Sequence, residues 1–318
     1  MSTPTTDRSP WRRIRRWLAW PIRTRDGRRL RAPIRAVLPL VTTFLALAVV
    51  QTAVRTRFEH PVRELLELLG IAAILAVAVV ASARLIDRRP TAEYGLAVDR
   101  RWVRSLAVGA GIGTAVNAGA LAVVLGADWA AVTGVTEAPG VLPFLPATVG
   151  AFALVAVAAA WEEFVFRATM LKNLAEGGQD SLGRRPAVLL AVLLSALVFA
   201  ALHGGKVTHP GQYGYYLLAG AILGGVYALT GDLALPIGFH ALYNYTQGLF
   251  GLGVSGAVPE LLALDLVGPS RWVGEEGLVH VGAAAAGGVL LVAYLRRRDG
   301  ALKVADRVTR WTPRDGGE

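Results

Sequence analysis

The sequence predicts an all-α fold, a polytopic membrane helix bundle of about eight transmembrane helices, from three observations. Of its 318 residues, 54% are hydrophobic and only 18% charged, against roughly 45–50% and 25% in soluble domains. The apolar excess gathers in long runs such as 36–54, 68–83 and 105–126, near the roughly 20 residues that cross a hydrocarbon core. The basic residues behind the net charge of +10 are nearly all arginines that flank those runs. That is how cytoplasmic loops hold the ends of membrane helices, so no nucleic-acid partner is expected. Cysteine is absent, which excludes disulfides, a thiol nucleophile and thiolate metal sites.

The elements follow in chain order. Residues 1–35 form a basic N-terminal segment with Arg12, Arg13, Arg15, Arg16, Arg28, Arg29 and Arg35 and no secretory cleavage pattern. Trp11, Ile14, Trp17 and Leu18 share a helical face there, which suits either a helix lying on an anionic cytoplasmic leaflet or a disordered basic tail. The membrane domain covers 36–298, with spans at 36–54, 65–83, 105–126, 143–165, 186–203, 213–230, 234–251 and 278–295. Connections 84–104 and 166–185 carry clusters of arginine and lysine and are expected inside. Connections 127–142 and 252–277 are acidic and are expected outside. With Arg296, Arg297 and Arg298 closing the last span, both termini are expected in the cytoplasm of a cell-membrane protein. The polar tail 299–318 is expected to be loosely ordered.

Ionisable residues inside apolar spans are costly and are therefore candidates for function. Glu162 and Glu163 follow the apolar run 151–160. Glu163 and Arg167 stand four apart with the acid first, the favourable order for a helical ion pair. That leaves Glu162 about 100° away on another face. Phe199 and His203 lie one turn apart at the end of the fifth span, and His240 and Asn244 are four apart inside the seventh. Each pair alone has a plain reading, as an interfacial side chain or as polar glue between helices. Together, a carboxylate, two histidines and an amide from three helices could activate water and polarise a peptide carbonyl. His60, His209 and His280 are weaker candidates, expected at interfaces.

The ordered set Glu-Glu-x-x-x-Arg, Phe-x-x-x-His and His-x-x-x-Asn resembles the signature of the CAAX-processing and bacteriocin-processing (Abi) membrane endopeptidases. The stretch 87–96 is similar to one found in bacterial members of that family. The resemblance spans about 145–250 and places the catalytic core in the C-terminal half of the bundle. It implies Glu162 as general base on water with His203 assisting, and His240 and Asn244 as partners of the carbonyl oxygen. Glu163, Arg167 and Phe199 would support the site. Two chemistries follow from it: a zinc ion on Glu162, His203 and His240 with one open position, or a metal-free glutamate mechanism without cofactor, which is preferred. The implied partner is a protein or peptide substrate.

Other readings have less support. Gly253-Val254-Ser255-Gly256 resembles the serine motif of rhomboid peptidases, with His280 as partner, but falls in an outer connection. No His-Glu-x-x-His occurs, so a site-2-type zinc peptidase is unsupported. A non-catalytic transporter or scaffold would use the same buried Glu and His for binding or proton coupling.

Overall fold

The computed structural model describes residues 22, 24, 29–207, 211–253, 258–274 and 277–313. The aromatic face predicted at 11–18 lies outside them. Helix α1 (Ala32–Arg55) packs on α2 (Val62–Ala81), which runs on through a π-turn (Ser82–Ile86). Helix α3 (Arg100–Gly126) is capped by Asp99, whose carboxylate accepts the Trp102 N–H at 2.7 Å. Helix α4 (Phe144–Glu163) continues through a π-segment (Phe164–Leu171) into α5 (Lys172–Leu182). Gly183, at φ 79°, then reverses the chain into α6 (Arg184–Leu202). Helices α7 (Gln212–Thr230), α8 (Ala234–Leu249) and α9 (Leu278–Asp299) complete the bundle, followed by a single turn, α10 (Asp306–Thr309). Strands β1 (Ala130–Glu137) and β2 (Glu260–Leu266) pair antiparallel.

Seven helices among the described residues are long and apolar enough to cross a membrane, and the chain is a multi-pass membrane protein. The predicted span 234–251 is not among the seven. Helix α8 has 16 residues, about 24 Å at 1.5 Å per residue, short of a core about 30 Å thick. It still runs from the end where Leu233 N–H meets the Gly95 carbonyl to the end where Gly251 lies on β2, wrapped by its neighbours. Its partner α3 approaches backbone to backbone: a Cβ added at Gly109 or Gly113 would collide with the α8 main chain, and one at Gly238 with that of α3. Asn117, fully buried on α3, donates to the Tyr243 carbonyl at 2.6 Å and to the Thr246 hydroxyl at 2.9 Å. Small residues and an interhelical amide are what hold helices together where lipid supplies no hydrophobic drive. They fix the helix that carries His240 and Asn244.

Three expectations are corrected. The fourth span does not stop at 165, and the supposed connection 166–185 is largely helix, with 164–173 buried throughout. Its Lys172 and Glu176 belong to an interior polar cluster, while Arg184 and Arg185 stay exposed. Arg35 ion-pairs with Asp87 at 3.1 Å and Glu176 at 2.9 Å, Arg89 meets Glu176 at 2.7 Å, and Asn173 donates to Asp87 at 3.2 Å. Arg29 joins Glu176 at 2.7 Å, so neither Arg29 nor Arg35 is spent on lipid headgroups. The tail is not loose over 303–313 either. Trp311 donates its indole N–H to the Asp87 carbonyl at 3.0 Å beneath the Arg29 guanidinium, Gln179 donates to the Thr309 carbonyl at 2.8 Å, and Val308 is fully buried. Lys172 donates to the carbonyls of Arg307 and Arg310. Paired charges can be buried where unpaired ones cannot, and charge content alone misread these segments as loops.

The cluster gathers the four segments expected inside, and the β-pair joins the two connections expected outside. Helix α9 has β2 before it and the docked tail after it, so the two groups occupy opposite ends of the bundle.

Candidate active site

Glu162 and His203 are brought level by a helical hairpin. Glu162 lies 21 residues before Gly183 and His203 lies 20 after it, so each stands about 30 Å along its helix from the turn. A fourth helix ending at 165 would have separated them. Glu162, His203, His240 and Asn244 all line one cavity of about 270 Å³ between α4, α6, α7 and α8.

Behind its wall, Glu163 is fully buried and its Oε1 serves two partners. His240 Nδ1–H donates to it at 2.7 Å, and the Arg167 guanidinium lies 3.2 Å away. Glu162 is turned to the cavity, with Oε2 3.8 Å from the other nitrogen of His240 and taking no hydrogen bond from a described residue. One carboxylate therefore stands at each side of the imidazole. Arg167, also buried, lies 4.8 Å from the Phe199 ring centroid, so Phe199 supports the cation through its π-face. Helical spacing alone pairs Glu163 with Arg167; the fold adds a second task, the orientation of His240.

His203 caps the end of α6. Its Nδ1–H donates to the Phe199 carbonyl at 2.8 Å, which makes Nε2 the acceptor of the neutral ring. The ring is held between Phe199 and Tyr216, with both centroids at 4.4 Å. The remaining wall is largely apolar or aromatic, including Val155, Tyr215, Ile222, Phe239 and Tyr243.

Sequence reasoning missed Tyr216 and Gln247, which also line the cavity. Gln247 was open to discovery, because it stands three and seven residues beyond Asn244 and His240 on the same helical face. Tyr216 carried no such signal, since its ring meets His203 only through the packing of α7 on α6.

The weaker histidines separate from the site. His60 pairs with Glu64 at 3.1 Å. His280 is buried rather than interfacial, with Nδ1 bonded to the Gly274 carbonyl at 2.7 Å. His209 and the segment 254–257, which holds Ser255, lie outside the described residues. No group of three His, Asp or Glu side chains among the described residues is arranged to hold a metal ion. Glu162, His203 and His240 share the cavity without forming such a donor set, and His240 Nδ1 is already committed to Glu163.

Residues 144–246 match the family model described as type II CAAX prenyl endopeptidase, Rce1-like. This region is similar to an Rce1-like domain. The Rce1-like match takes in α4 through most of α8, and with it every residue of the Glu-Glu, Phe-His and His-Asn motifs. The Rce1-like family is one of proteases, and the wall of this cavity comes mainly from the matched segment. Neither the curated proteins nor the solved structures compared with the chain give a match.

Proposed function

We propose that the chain is an intramembrane endopeptidase that hydrolyses a peptide bond of a membrane-associated protein or peptide. The observation that carries this reading is one cavity lined by Glu162, His203, His240 and Asn244, with the Glu162 carboxylate taking no donor among the described residues. A water bound between Glu162 and His203 Nε2 loses its proton to Glu162 as its oxygen attacks the substrate carbonyl carbon. The Asn244 amide donates to the resulting oxyanion, and His240, oriented through Nδ1 by Glu163, lies beside it as a second partner. Glu162 then passes its proton to the leaving amine as the C–N bond breaks. Glu163 and Arg167 hold His240 in place, and no step is routed through a metal. The apolar walls suit uncharged side chains flanking the scissile bond.

We assign 36–298 as the membrane domain, with its catalytic core at about 145–250. The polar cluster lies on the cytoplasmic side of the cell membrane, with both termini, on the strength of the arginine-rich connections. Arg12, Arg13, Arg15 and Arg16, outside the described residues, are assigned to binding anionic lipid headgroups on the strength of their charge.

The test compares membranes holding the intact protein with membranes holding Glu162→Gln, reading new peptide termini by mass spectrometry. The variant keeps the shape of the side chain and removes the base. Protein level should hold while cleavage falls about 10²–10⁴-fold, the usual worth of general-base catalysis. A chelator should leave wild-type cleavage unchanged. Equal cleavage by Glu162→Gln overturns the assignment, and chelator loss restored by zinc replaces the metal-free step.

A further inference from the structure

The helix that carries Glu162 is not an α-helix beyond Glu163. Over Phe164–Leu171 it is a π-helix, and Lys172 N–H closes on the Arg167 carbonyl five residues back. Such turns are rarer and less well bonded than α-turns, and they occur often at functional sites. Here two buried hydroxyls are committed to consecutive carbonyls of the segment. Thr169 Oγ1–H donates to the Val165 carbonyl at 2.6 Å from within the helix. Ser195 Oγ–H, from α6, donates to the Phe166 carbonyl at 2.9 Å. Both side chains are almost wholly buried. The two carbonyls belong to residues lying between the carboxylates of the site and Arg167.

Both ends of this helix are constrained from outside. On one side Glu162 must face the cavity while Glu163 meets His240. On the other, Asn173 and Glu176 are fixed by Arg35, Asp87 and Arg89, and Lys172 by the tail. A π-turn accommodates an extra residue, worth about 100° of rotation between the helix before it and the helix after it. If the segment relaxed to α-geometry with α5 held by its cluster, α4 would rotate by about that angle and carry Glu162 off the cavity wall.

We propose that Ser195 is a positioning residue: its hydroxyl, with that of Thr169, holds the π-register that aims Glu162 into the cavity. The idea rests on the proposed catalytic role of Glu162 for its consequence in turnover, but the rotation itself does not.

The absence of cysteine allows a test that needs no substrate. Spin labels on the full-length protein at Val149 of α4 and Val289 of α9, both exposed, report the rotation of α4 against a second helix of the bundle that the register change leaves in place. On a helix about 10–12 Å across, a turn of about 100° moves a surface label by about 8 Å. Ser195→Ala should shift or broaden the distance distribution on that scale, and Ser195→Thr, which keeps a hydroxyl, should restore it. Thr169→Val gives a second route should Ser195→Ala fail to fold. In the cleavage assay Ser195→Ala should lower kcat about tenfold with KM within about twofold, and Ser195→Thr should recover most of it. An unchanged distribution in Ser195→Ala and Thr169→Val overturns the proposal, whatever the activity does. A shifted distribution in a protein whose wild type cleaves nothing upholds the register device and removes the peptidase reading instead.

Discussion

Glu163→Gln is the perturbation whose size follows most directly from the structure. Glu163 and Arg167 are both buried, their charged atoms 3.2 Å apart on one turn of helix. The amide oxygen of the substituted side chain keeps an acceptor for the His240 Nδ1–H, so what is lost is the counter-charge of Arg167. Removing one partner of a buried ion pair costs about 3–5 kcal/mol, because the other charge is left uncompensated away from water. At about 1.4 kcal/mol per decade, this is roughly a 140- to 3,700-fold shift in the folding equilibrium. Arg167→Met should cost a comparable amount, since it leaves the carboxylate with His240 alone. Glu163→Gln combined with Arg167→Met removes both charges and should be more stable than either single variant, since replacing a whole buried pair by neutral groups is often nearly neutral. The assay is the folded fraction of detergent-solubilised protein, followed through thermal or denaturant titration of the four proteins. Two single variants as stable as wild type, or a double variant worse than both, would refute the reasoning.

Two other predictions concern the site and its setting. Asn244→Ala should lower kcat by about 10²–10³-fold with little change in KM, as expected for a lost oxyanion donor; a change confined to KM would make Asn244 a binding group only. Cysteines at Arg88 and Val267, both exposed, should be labelled from opposite faces of the membrane. Arg89 is unsuitable for this despite its place in the same loop, because it is buried in the polar cluster, and labelling of both positions from one face would contradict the proposed topology.

Much of the fold was legible because lipid solvation demands long apolar helices, and the runs that became α1, α2, α3, α6, α7 and α9 stand out by that demand alone. The motif residues were legible because ionisable groups in such runs are costly. What escaped reading was the polar residues buried by pairing with partners remote in sequence. Lys172, Asn173 and Glu176 look like a loop until Arg35, Asp87 and Arg89 are seen beside them, and those partners are remote in sequence. The same misreading ended the fourth helix early and created an apparent gap between Glu162 and His203. The stretch 87–96 was noticed for its similarity to family members, but its work, tying the ends of four segments together, depends on contacts that no local pattern encodes. The 16-residue α8 joins the two ends of the bundle as expected, but its residues are apolar because protein, rather than lipid, surrounds them.

The docked tail has a consequence for biosynthesis. Helices α1 to α9 can be threaded into a bilayer one after another as the ribosome supplies them, each stabilised by its own apolar surface. The polar cluster cannot close on that schedule. Its lid is made of Arg307, Thr309 and Trp311, which are synthesised after α9. Until they arrive, Lys172 lacks the carbonyls it caps, and the buried charges around it remain open to water. The polar cluster that holds α5 is thus completed only after α9 has been synthesised, while the helices before it are already in place.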